Sequence, residues 1–155
     1  MTITRKLEGL DVWIYNGQIN IPNTYSAGAT GSKFLTELRD RKKITGTRCR
    51  SCNYVYVPPR LTCKYCFQKM SEWTEVSDRG SLLTYAIAHQ PTPVLPQAPP
   101  IVYGIVQLDG ASTGLVHFLG EVALEDLKIG MRLQAVFKQD RTASLLDIKY
   151  FRPLD

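Results

Sequence analysis

Hydrophobic and polar residues alternate over several short stretches in the second half of the chain. Leu133, Ala135 and Phe137, for example, are separated by polar neighbours, and this period of two predicts a strand with one buried face. Such stretches predict five strands, at residues 82–89, 101–108, 114–119, 132–138 and 145–151. Residues 123–127, between the third and fourth strands, predict a short helical piece. This arrangement is typical of an OB-fold barrel.

A helix with one apolar side is predicted before this region. Ser32 can cap it, and Phe34 and Leu38 then fall on the same side. Gly46 is expected to end it, so we assign residues 31–46 to a helix whose last turn is crowded with Lys and Arg. These cations complement the helix dipole, but the same cluster would also suit phosphate groups.

The rest of the chain divides on either side of this helix. Residues 1–30 are predicted to be an N-terminal arm, in which Trp13 and Tyr15 either anchor the chain on a partner or cover its own core. Residues 47–72 are assigned to a metal-binding ribbon and residues 73–155 to the barrel domain.

The metal-binding ribbon is predicted from the cysteines. Cys49 and Cys52 form one C-x-x-C pair, and Cys63 and Cys66 form a second pair ten residues later. The sulfurs of both pairs can meet around one tetrahedral metal ion. Zinc is favoured, although a rubredoxin-type iron site uses the same ligands; disulfides are disfavoured because no signal peptide precedes the pairs. Four protein ligands leave no open position, so the site is expected to be structural.

The residues between and after the cysteine pairs predict the local turns. Tyr54–Val57 is predicted to be a short strand, and Pro58–Arg60 an extended turn. The residue after each pair often adopts a left-handed conformation, which Asn53 tolerates and Phe67 does not. We therefore expect the second knuckle to turn differently from the first.

Charge is distributed unevenly along the chain, whose net charge is +5. Residues 1–70 contain twelve Lys/Arg and four Asp/Glu, a net charge of +8, whereas residues 71–155 contain seven and ten, a net charge of −3. The basic part favours an anionic partner, although a solvated surface explains it equally well. No apolar run approaches the roughly 20 residues of a membrane span, and a cytoplasmic location is expected.

A proline-rich loop joins the first two predicted barrel strands. Residues 90–100 contain five prolines, so the loop should be stiff and extended. Because this loop borders the ligand face of OB-folds, we interpret it as a preformed wall for a ligand or partner. A rigid linker is the alternative.

The motifs of an independent catalyst are absent from the sequence. All four thiols are expected to bind metal, which leaves none to act as a nucleophile. His89 and His117 lie in predicted strands, where a structural role is more common than base catalysis. There is no G-x-S-x-G, Walker or dinucleotide-binding glycine motif. No residue is therefore assigned as catalytic, and a binding subunit is favoured.

The order of several motifs resembles that of the DUF35 family over residues 31–154. A basic helix, C-x-x-C, P-P-R, C-x-x-C and a Trp-containing segment are followed by Gly80, Ile129-Gly130-Met131 and Phe151-Arg152-Pro153. The resemblance implies an α+β, mainly β fold, with an N-terminal helical segment, a rubredoxin-like zinc ribbon and a C-terminal five-stranded OB-fold barrel.

The resemblance also implies a function. Members of the family are partners of acyl-CoA enzymes, above all thiolase-like ones, and help to bind or channel the CoA thioester. The arm and Ser26-Ala27-Gly28 are similar to small subunits of thiolases of the benzoylsuccinyl-CoA type.

A CoA-binding surface can be assigned on this basis. Cations would bind the phosphates, an aromatic ring would stack on adenine, and a slot between ribbon and barrel would hold the pantetheine arm. The candidate contacts are Arg39, Arg41, Lys42, Lys43, Pro58, Pro59, Arg60 and Tyr65. Further candidates are Arg48, Arg50 and Lys64 for the phosphates, and Tyr54, Tyr56 and Phe67 for stacking.

Two other functions remain open from the sequence. A ribbon, an OB-fold and a pI of about 9.1 would also suit single-stranded nucleic acid, although the acidic barrel half argues against it. A rubredoxin-type electron carrier is the other alternative.

Overall fold

The computed structural model of the chain describes residues 5–7, 10–12, 22, 24–91 and 98–154. Within these residues there are one α-helix, α1 (Gly28–Arg41), and ten strands. The strands are β1 (Arg5–Leu7), β2 (Leu10–Val12), β3 (Ile44–Arg48), β4 (Val55–Tyr56), β5 (Glu72–Val76), β6 (Arg79–Ala88), β7 (Ile101–Leu108), β8 (Gly114–Leu119), β9 (Arg132–Phe137) and β10 (Ile148–Pro153). The predicted α+β, mainly β fold class is confirmed.

Near the start of the N-terminal arm, β1 and β2 form an antiparallel pair. Arg5 lies opposite Val12 and Leu7 lies opposite Leu10. Trp13 and Tyr15, the predicted anchors, lie outside the described residues, so their role stays a prediction.

The helix begins earlier than predicted. Its first residue is Gly28 instead of a position near Ser32, and the Gly28 N–H donates to Oγ of Ser26 over 3.1 Å. The predicted apolar side is correct, since Phe34 and Leu38 are both buried.

The helix also ends earlier than predicted, at Arg41 instead of Gly46. Lys42 adopts a left-handed conformation with φ of 56°, and its N–H donates to the carbonyl of Leu38 over 3.2 Å. The next residues form β3, where β-branched Ile and Thr side chains favour a strand. The assignment of residues 44–46 to the helix was therefore wrong.

β3 is the central strand of a three-stranded ribbon sheet, in the order β4-β3-β5. Thr47 lies opposite Tyr56 of β4, and Ile44 lies opposite Val76 of β5. Since β5 ends at Val76, this sheet extends beyond the predicted ribbon boundary at residue 72.

Gly46 lies in the middle of β3 for a packing reason. A Cβ at this position would be 2.6 Å from the carbonyl oxygen of Tyr56 and 2.9 Å from Cγ2 of Val57. Contacts of this length are too short for a side chain. The glycine therefore permits close approach of the chain segments and does not end a helix.

The C-terminal half is a closed barrel in the strand order β10-β8-β7-β6-β9. β10 is parallel to β8, and the other neighbours are antiparallel. A 3₁₀ turn at Leu124–Asp126 lies between β8 and β9. It corresponds to the short helical piece predicted there. The OB-fold prediction is confirmed.

Two details of the predicted barrel differ in the structure. β6 begins at Arg79, three residues before the predicted start, and β10 begins at Ile148 instead of Leu145. Leu145–Asp147 is a 3₁₀ turn instead, closed by a capping box between Ser144 and Asp147. Residues 92–97 of the proline-rich loop lie outside the described residues, so its role as a wall stays a prediction.

One hydrophobic core joins the helix, the ribbon sheet and the barrel. Phe34 of α1, Val55 and Val57 of the ribbon, and Leu82 and Phe151 of the barrel belong to the same cluster of buried side chains. The ribbon is therefore packed on the barrel through apolar side chains.

Hydrogen bonds reinforce this packing. The Val55 N–H donates to Oγ of Ser112 over 3.0 Å, and the Ser112 N–H donates to the Val55 carbonyl over 2.9 Å. The Val57 N–H and carbonyl both bond to Oγ1 of Thr113, each over 2.8 Å. Ser112 and Thr113 lie between β7 and β8, so a barrel loop holds the edge of the ribbon.

Candidate metal centre and its surroundings

The four cysteines converge on one point at the end of the ribbon sheet. Their Sγ atoms all lie within 4.8 Å of one another, and those of Cys49 and Cys66 are 3.5 Å apart. Sulfurs about 2.3 Å from a tetrahedral zinc ion are separated by about 3.8 Å. The residues present therefore fit a single four-coordinate metal ion, which would hold the two knuckles together.

Both knuckles turn in the same way. Asn53 and Phe67, which follow the two C-x-x-C pairs, have φ of 52° and 57°. The expectation that the second knuckle turns differently was therefore wrong. The Phe67 N–H donates to the carbonyl of Cys63 over 3.0 Å, so the closing hydrogen bond holds Phe67 in a conformation that is unfavourable for a residue with a Cβ.

Tyr56 supports the metal centre from the interior. It lies in a second buried cluster with Cys49, Cys63 and Met70, because alternate residues of a strand point to opposite faces. Its hydroxyl lies 3.3 Å from Sγ of Cys63 and accepts the backbone N–H of Lys64 over 3.0 Å. Burial, followed by the contact with Cys63, raises the pKa of Tyr56 to about 12, so the hydroxyl stays a donor.

The thiols differ in how readily they ionise. The hydrogen bond from Tyr56, followed by the backbone of Cys66, lowers the pKa of Cys63 to about 6. The hydrogen bond with Cys66, followed by burial and the other sulfurs, raises the pKa of Cys52 to about 12. The pKa values of these two thiols are thus shifted in opposite directions, and a bound cation would favour ionisation of the whole set.

The basic residues predicted to bind phosphate are mostly paired with acidic side chains. Such pairs join Arg39 to Asp40, Arg41 to Glu37, Lys43 to Glu75, and both Arg48 and Arg50 to Glu72. The hydrogen bond from Arg39 lowers the pKa of Asp40. Lys42 is exposed and has no ion pair among the described residues.

The predicted contacts lie in two groups. Arg39 to Lys43 lie at the end of α1, whereas Pro58, Pro59, Arg60 and Tyr65 lie on the ribbon. The Arg60 N–H donates to Oγ1 of Thr47 over 2.9 Å, so the ribbon group lies near Thr47. Because Thr47 is four residues from Lys43 along a nearly extended chain, the backbones of Lys43 and Thr47 are about 13 Å apart.

The candidate stacking rings differ in accessibility. Tyr56 is fully buried, so its assignment as an adenine contact was wrong. Tyr65 and Phe67 are exposed. Tyr65 packs edge-on against Tyr54, and the Lys64 ammonium lies 4.7 Å from the centre of its ring.

The slot predicted for pantetheine between ribbon and barrel stays a prediction, and the described residues restrict where it could lie. Val55 and Val57 are buried there and bonded to the barrel loop. A slot would have to run along Pro58, which is exposed, and Pro59, which is half-buried.

The two histidines have different positions. His89 is exposed just after β6. His117 is buried, with Nε2 3.2 Å from the carbonyl of Leu145 and Nδ1 accepting the N–H of Phe118 over 2.9 Å. Burial lowers the pKa of His117, which favours the neutral ring at neutral pH; its predicted structural role stays a prediction.

The barrel has concave surfaces that were not predicted from the sequence. A cavity of about 190 Å³ on β7 and β8 is lined by Tyr103, Val116, His117, Phe118, Leu145 and Leu146. A polar one of about 410 Å³ is lined by Arg79, Glu121, Gln134, Arg152, Pro153 and Leu154. The sequence contains an indication of the cavity on β7 and β8, because these strands carry apolar residues on both faces instead of alternating strictly.

Comparison with known proteins identifies the family. A family model described as the ChsH2 rubredoxin-like zinc ribbon domain matches residues 36–69, and one described as the ChsH2 C-terminal OB-fold domain matches residues 73–138. A protein of Methanocaldococcus jannaschii named DUF35 domain-containing scaffold protein is 28% identical over 123 residues, covering 76% of this chain and 86% of that protein. The chain belongs to the DUF35 family.

Solved structures of DUF35 proteins share the fold. One described as an Ltp2-ChsH2(DUF35) aldolase superposes with a TM-score of 0.59 at 25% identity, covering 79% of this chain and 93% of that one. A DUF35 protein of unknown function from Sulfolobus solfataricus gives a TM-score of 0.61 at 21% identity, covering 81% and 84%.

None of the described helical segments of this DUF35 chain combines the length and apolar character needed to cross a membrane.

Proposed function

We propose that this DUF35 chain is a non-catalytic, zinc-containing subunit that binds CoA or an acyl-CoA and supports the thioester chemistry of a thiolase-like enzyme. The observation that carries the proposal is the convergence of all four cysteines on one metal site. A metal-bound thiol is not available as the nucleophile of thiolase chemistry. The partner would therefore supply the reactive thiol, and this chain would supply binding surfaces.

The relatives support a role beside another protein. One is named a scaffold protein, and another structure is described as an aldolase that includes a DUF35 component. Co-purification of the chain from its native source tests this directly. The expected result is a stable complex with a thiolase-like subunit, and recovery of the chain without one would contradict it.

Zinc is the proposed ion, because it binds four thiolates without redox chemistry. Free thiols persist in a reducing compartment, which also favours action in the cytoplasm. Protein purified without added metal should be colourless and contain about one zinc ion per chain. Finding one iron ion per chain, with the colour of an iron–thiolate centre, would contradict the zinc assignment and indicate a redox-active site.

CoA would extend across the surface of the ribbon in the direction of β3, because the two groups of candidate contacts lie near the two ends of this buried strand. Arg39, Arg41, Lys42 and Lys43 would contact the phosphates at one end, and Tyr65 and Arg60 the adenine or ribose at the other. Pro58 and Pro59 lie beside Arg60 and would border the uncharged arm. Lys43 is paired with Glu75 over 2.6 Å, but both side chains are about half exposed. Exposed pairs of this kind are weak, so a phosphate could replace the carboxylate.

Calorimetric titration of CoA into the complex, and into the isolated chain, tests this surface. The triple variant Arg41→Glu, Lys42→Glu, Lys43→Glu should bind CoA at least about tenfold more weakly, because it places three negative charges beside a phosphate. The matched control is Lys128→Glu, Lys138→Glu, Lys149→Glu, which reverses three exposed lysines of the barrel half. Equal affinity of the two triple variants would contradict the assignment.

The proposal that this chain is not itself catalytic has a separate test. The isolated chain should neither form nor cleave an acyl-CoA thioester, with or without its metal. Turnover by the isolated chain would contradict the proposal even if CoA binding were confirmed.

A further inference from the structure

The second knuckle forms a hairpin with an outward surface. The N–H of Met70 donates to the carbonyl of Leu61 over 2.7 Å, and the N–H of Cys63 donates to the carbonyl of Gln68 over 3.0 Å. Cys63 and Met70 are buried beneath it. Residues 61–70, which we call the knuckle hairpin, therefore have a backbone closed by hydrogen bonds above a buried base.

The knuckle hairpin exposes large apolar side chains. Phe67 is 78% exposed and Leu61 is 58% exposed. Neither belongs to the two clusters of buried and partly buried side chains found among the described residues. Their apolar surface is therefore left to solvent in the isolated chain.

Phenylalanine is an unfavourable residue for the positive φ found at position 67. The first knuckle has Asn53 at the corresponding position, and asparagine tolerates a positive φ. Phe67 adopts nearly the same φ and gains no interior packing in return. An exposed, strained aromatic residue suggests a role outside the isolated fold.

The positive charges of the knuckle hairpin have no acidic partners among the described residues. Residues 53–71 contain no Asp or Glu, and Lys64 and Lys69 are exposed with no ion pair among the described residues. In contrast, Arg48 and Arg50, beside the first knuckle, both pair with Glu72. The knuckle hairpin is therefore both apolar and positively charged.

We infer that the knuckle hairpin docks on the partner enzyme subunit, with Phe67 and Leu61 in an apolar pocket and Lys64 and Lys69 against an acidic rim. This inference rests on the proposed function, since it assigns the surface that would bind the thiolase-like partner. Aromatic anchors surrounded by charged residues are typical of protein interfaces. Because the metal site and the hairpin hydrogen bonds would hold the backbone of both anchors beforehand, little backbone conformational entropy would be lost on binding.

A protein fits this surface better than a single-stranded nucleic acid does. Stacking of successive bases requires several accessible ring faces. The ring of Tyr65 packs edge-on against Tyr54, and Lys64 lies over its face. Phe67 alone offers an open ring, and Leu61 offers none.

The decisive variant is Phe67→Gly in the full chain, measured against the thiolase-like subunit that co-purifies with the wild-type chain. Glycine removes the ring and suits a positive φ, so the metal content should be unchanged and the thermal midpoint equal to or above that of the wild type. Affinity, measured by biolayer interferometry, should fall by about tenfold or more. The double variant Lys64→Glu, Lys69→Glu should weaken binding similarly, and most strongly at low salt.

Ile129→Ser is the control, since Ile129 is a 68% exposed apolar residue of the barrel and should leave affinity unchanged. Wild-type affinity of both knuckle hairpin variants would overturn the inference while leaving the proposed function intact. Failure of the wild-type chain to bind any thiolase-like subunit would overturn both. Tight binding of a single-stranded oligonucleotide that is lost in Phe67→Gly would assign the surface to nucleic acid instead.

Discussion

The hydroxyl of Tyr56 lies 3.3 Å from Sγ of Cys63. Tyr56 is on the side of strand β4 opposite the hydrophobic core that joins ribbon and barrel. The neighbouring residues Val55 and Val57 point into that core, while Tyr56 points toward the cysteines. The same short strand therefore fixes the ribbon on the barrel and supports the metal ligands. Through this strand, the metal centre is coupled to packing of the whole fold.

Removal of the Tyr56 hydroxyl should weaken the metal site. In Tyr56→Phe, Cys63 loses its side-chain hydrogen bond and the N–H of Lys64 loses its acceptor. Such supporting contacts typically change metal affinity by about 10- to 100-fold, and we expect a loss in this range. Competition with a chromogenic zinc chelator measures it. Tyr65→Phe is the control, because Tyr65 is exposed, and equal affinities of the two variants would show that the Tyr56 hydroxyl is not needed.

The ribbon sheet should be sensitive to a single methyl group at Gly46. In Gly46→Ala the new Cβ would meet the carbonyl oxygen of Tyr56 at 2.6 Å, and backbone cannot move away as a side chain can. We expect the free energy of unfolding to fall by about 1–3 kcal/mol or more, measured by urea denaturation of the metal-loaded protein. Gly31→Ala, on α1, makes the same chemical change and should stay within about 1 kcal/mol of the wild type. Similar losses in both variants would contradict the packing explanation for Gly46.

Stability should fall when the solution becomes mildly acidic, because of His117. Burial lowers the pKa of His117 below its usual value of 6.5, and Nδ1 must stay unprotonated to accept the Phe118 N–H. Below pH 6.5 the unfolded chain binds a proton that the folded chain does not, so stability rises with pH in this window and is lost as pH falls.

The two histidines provide a matched comparison for this effect. His117→Gln should reduce the dependence of the urea midpoint on pH between about 7.5 and 5.5. His89→Gln should keep the wild-type slope, because His89 is exposed. The same slope in His117→Gln and in the wild type would show that another group titrates.

The sequence predicts the metal ligands and the barrel well, for physical reasons. Two C-x-x-C pairs restrict the sulfurs to one tetrahedral arrangement, and alternation along the barrel strands reports which face is buried. The predicted end of the helix was wrong because a glycine such as Gly46 commonly ends a helix. Its actual role depends on the approach of Tyr56, which sequence order does not show.

The environment of the basic residues could not be predicted from the sequence for a similar reason. Lys43 pairs with Glu75, and Arg50 pairs with Glu72. These partners are distant in sequence and are brought together by the β3–β5 pairing. Likewise, alternation shows that Tyr56 and Val57 point in opposite directions, but only the tertiary fold shows that both directions are buried.

Glu75 should compete with CoA for Lys43 if the phosphates bind at the end of α1. Glu75→Gln removes the carboxylate that lies 2.6 Å from the Lys43 ammonium and leaves the cation free. Exposed ion pairs are typically worth about 0.2–1 kcal/mol, so CoA affinity should rise by about 1.4- to fivefold. Calorimetric titration measures the change, with Glu121→Gln as the control because Glu121 pairs with Arg152 of the barrel. Unchanged affinity in Glu75→Gln, or an equal rise in both variants, would place the phosphates away from Lys43.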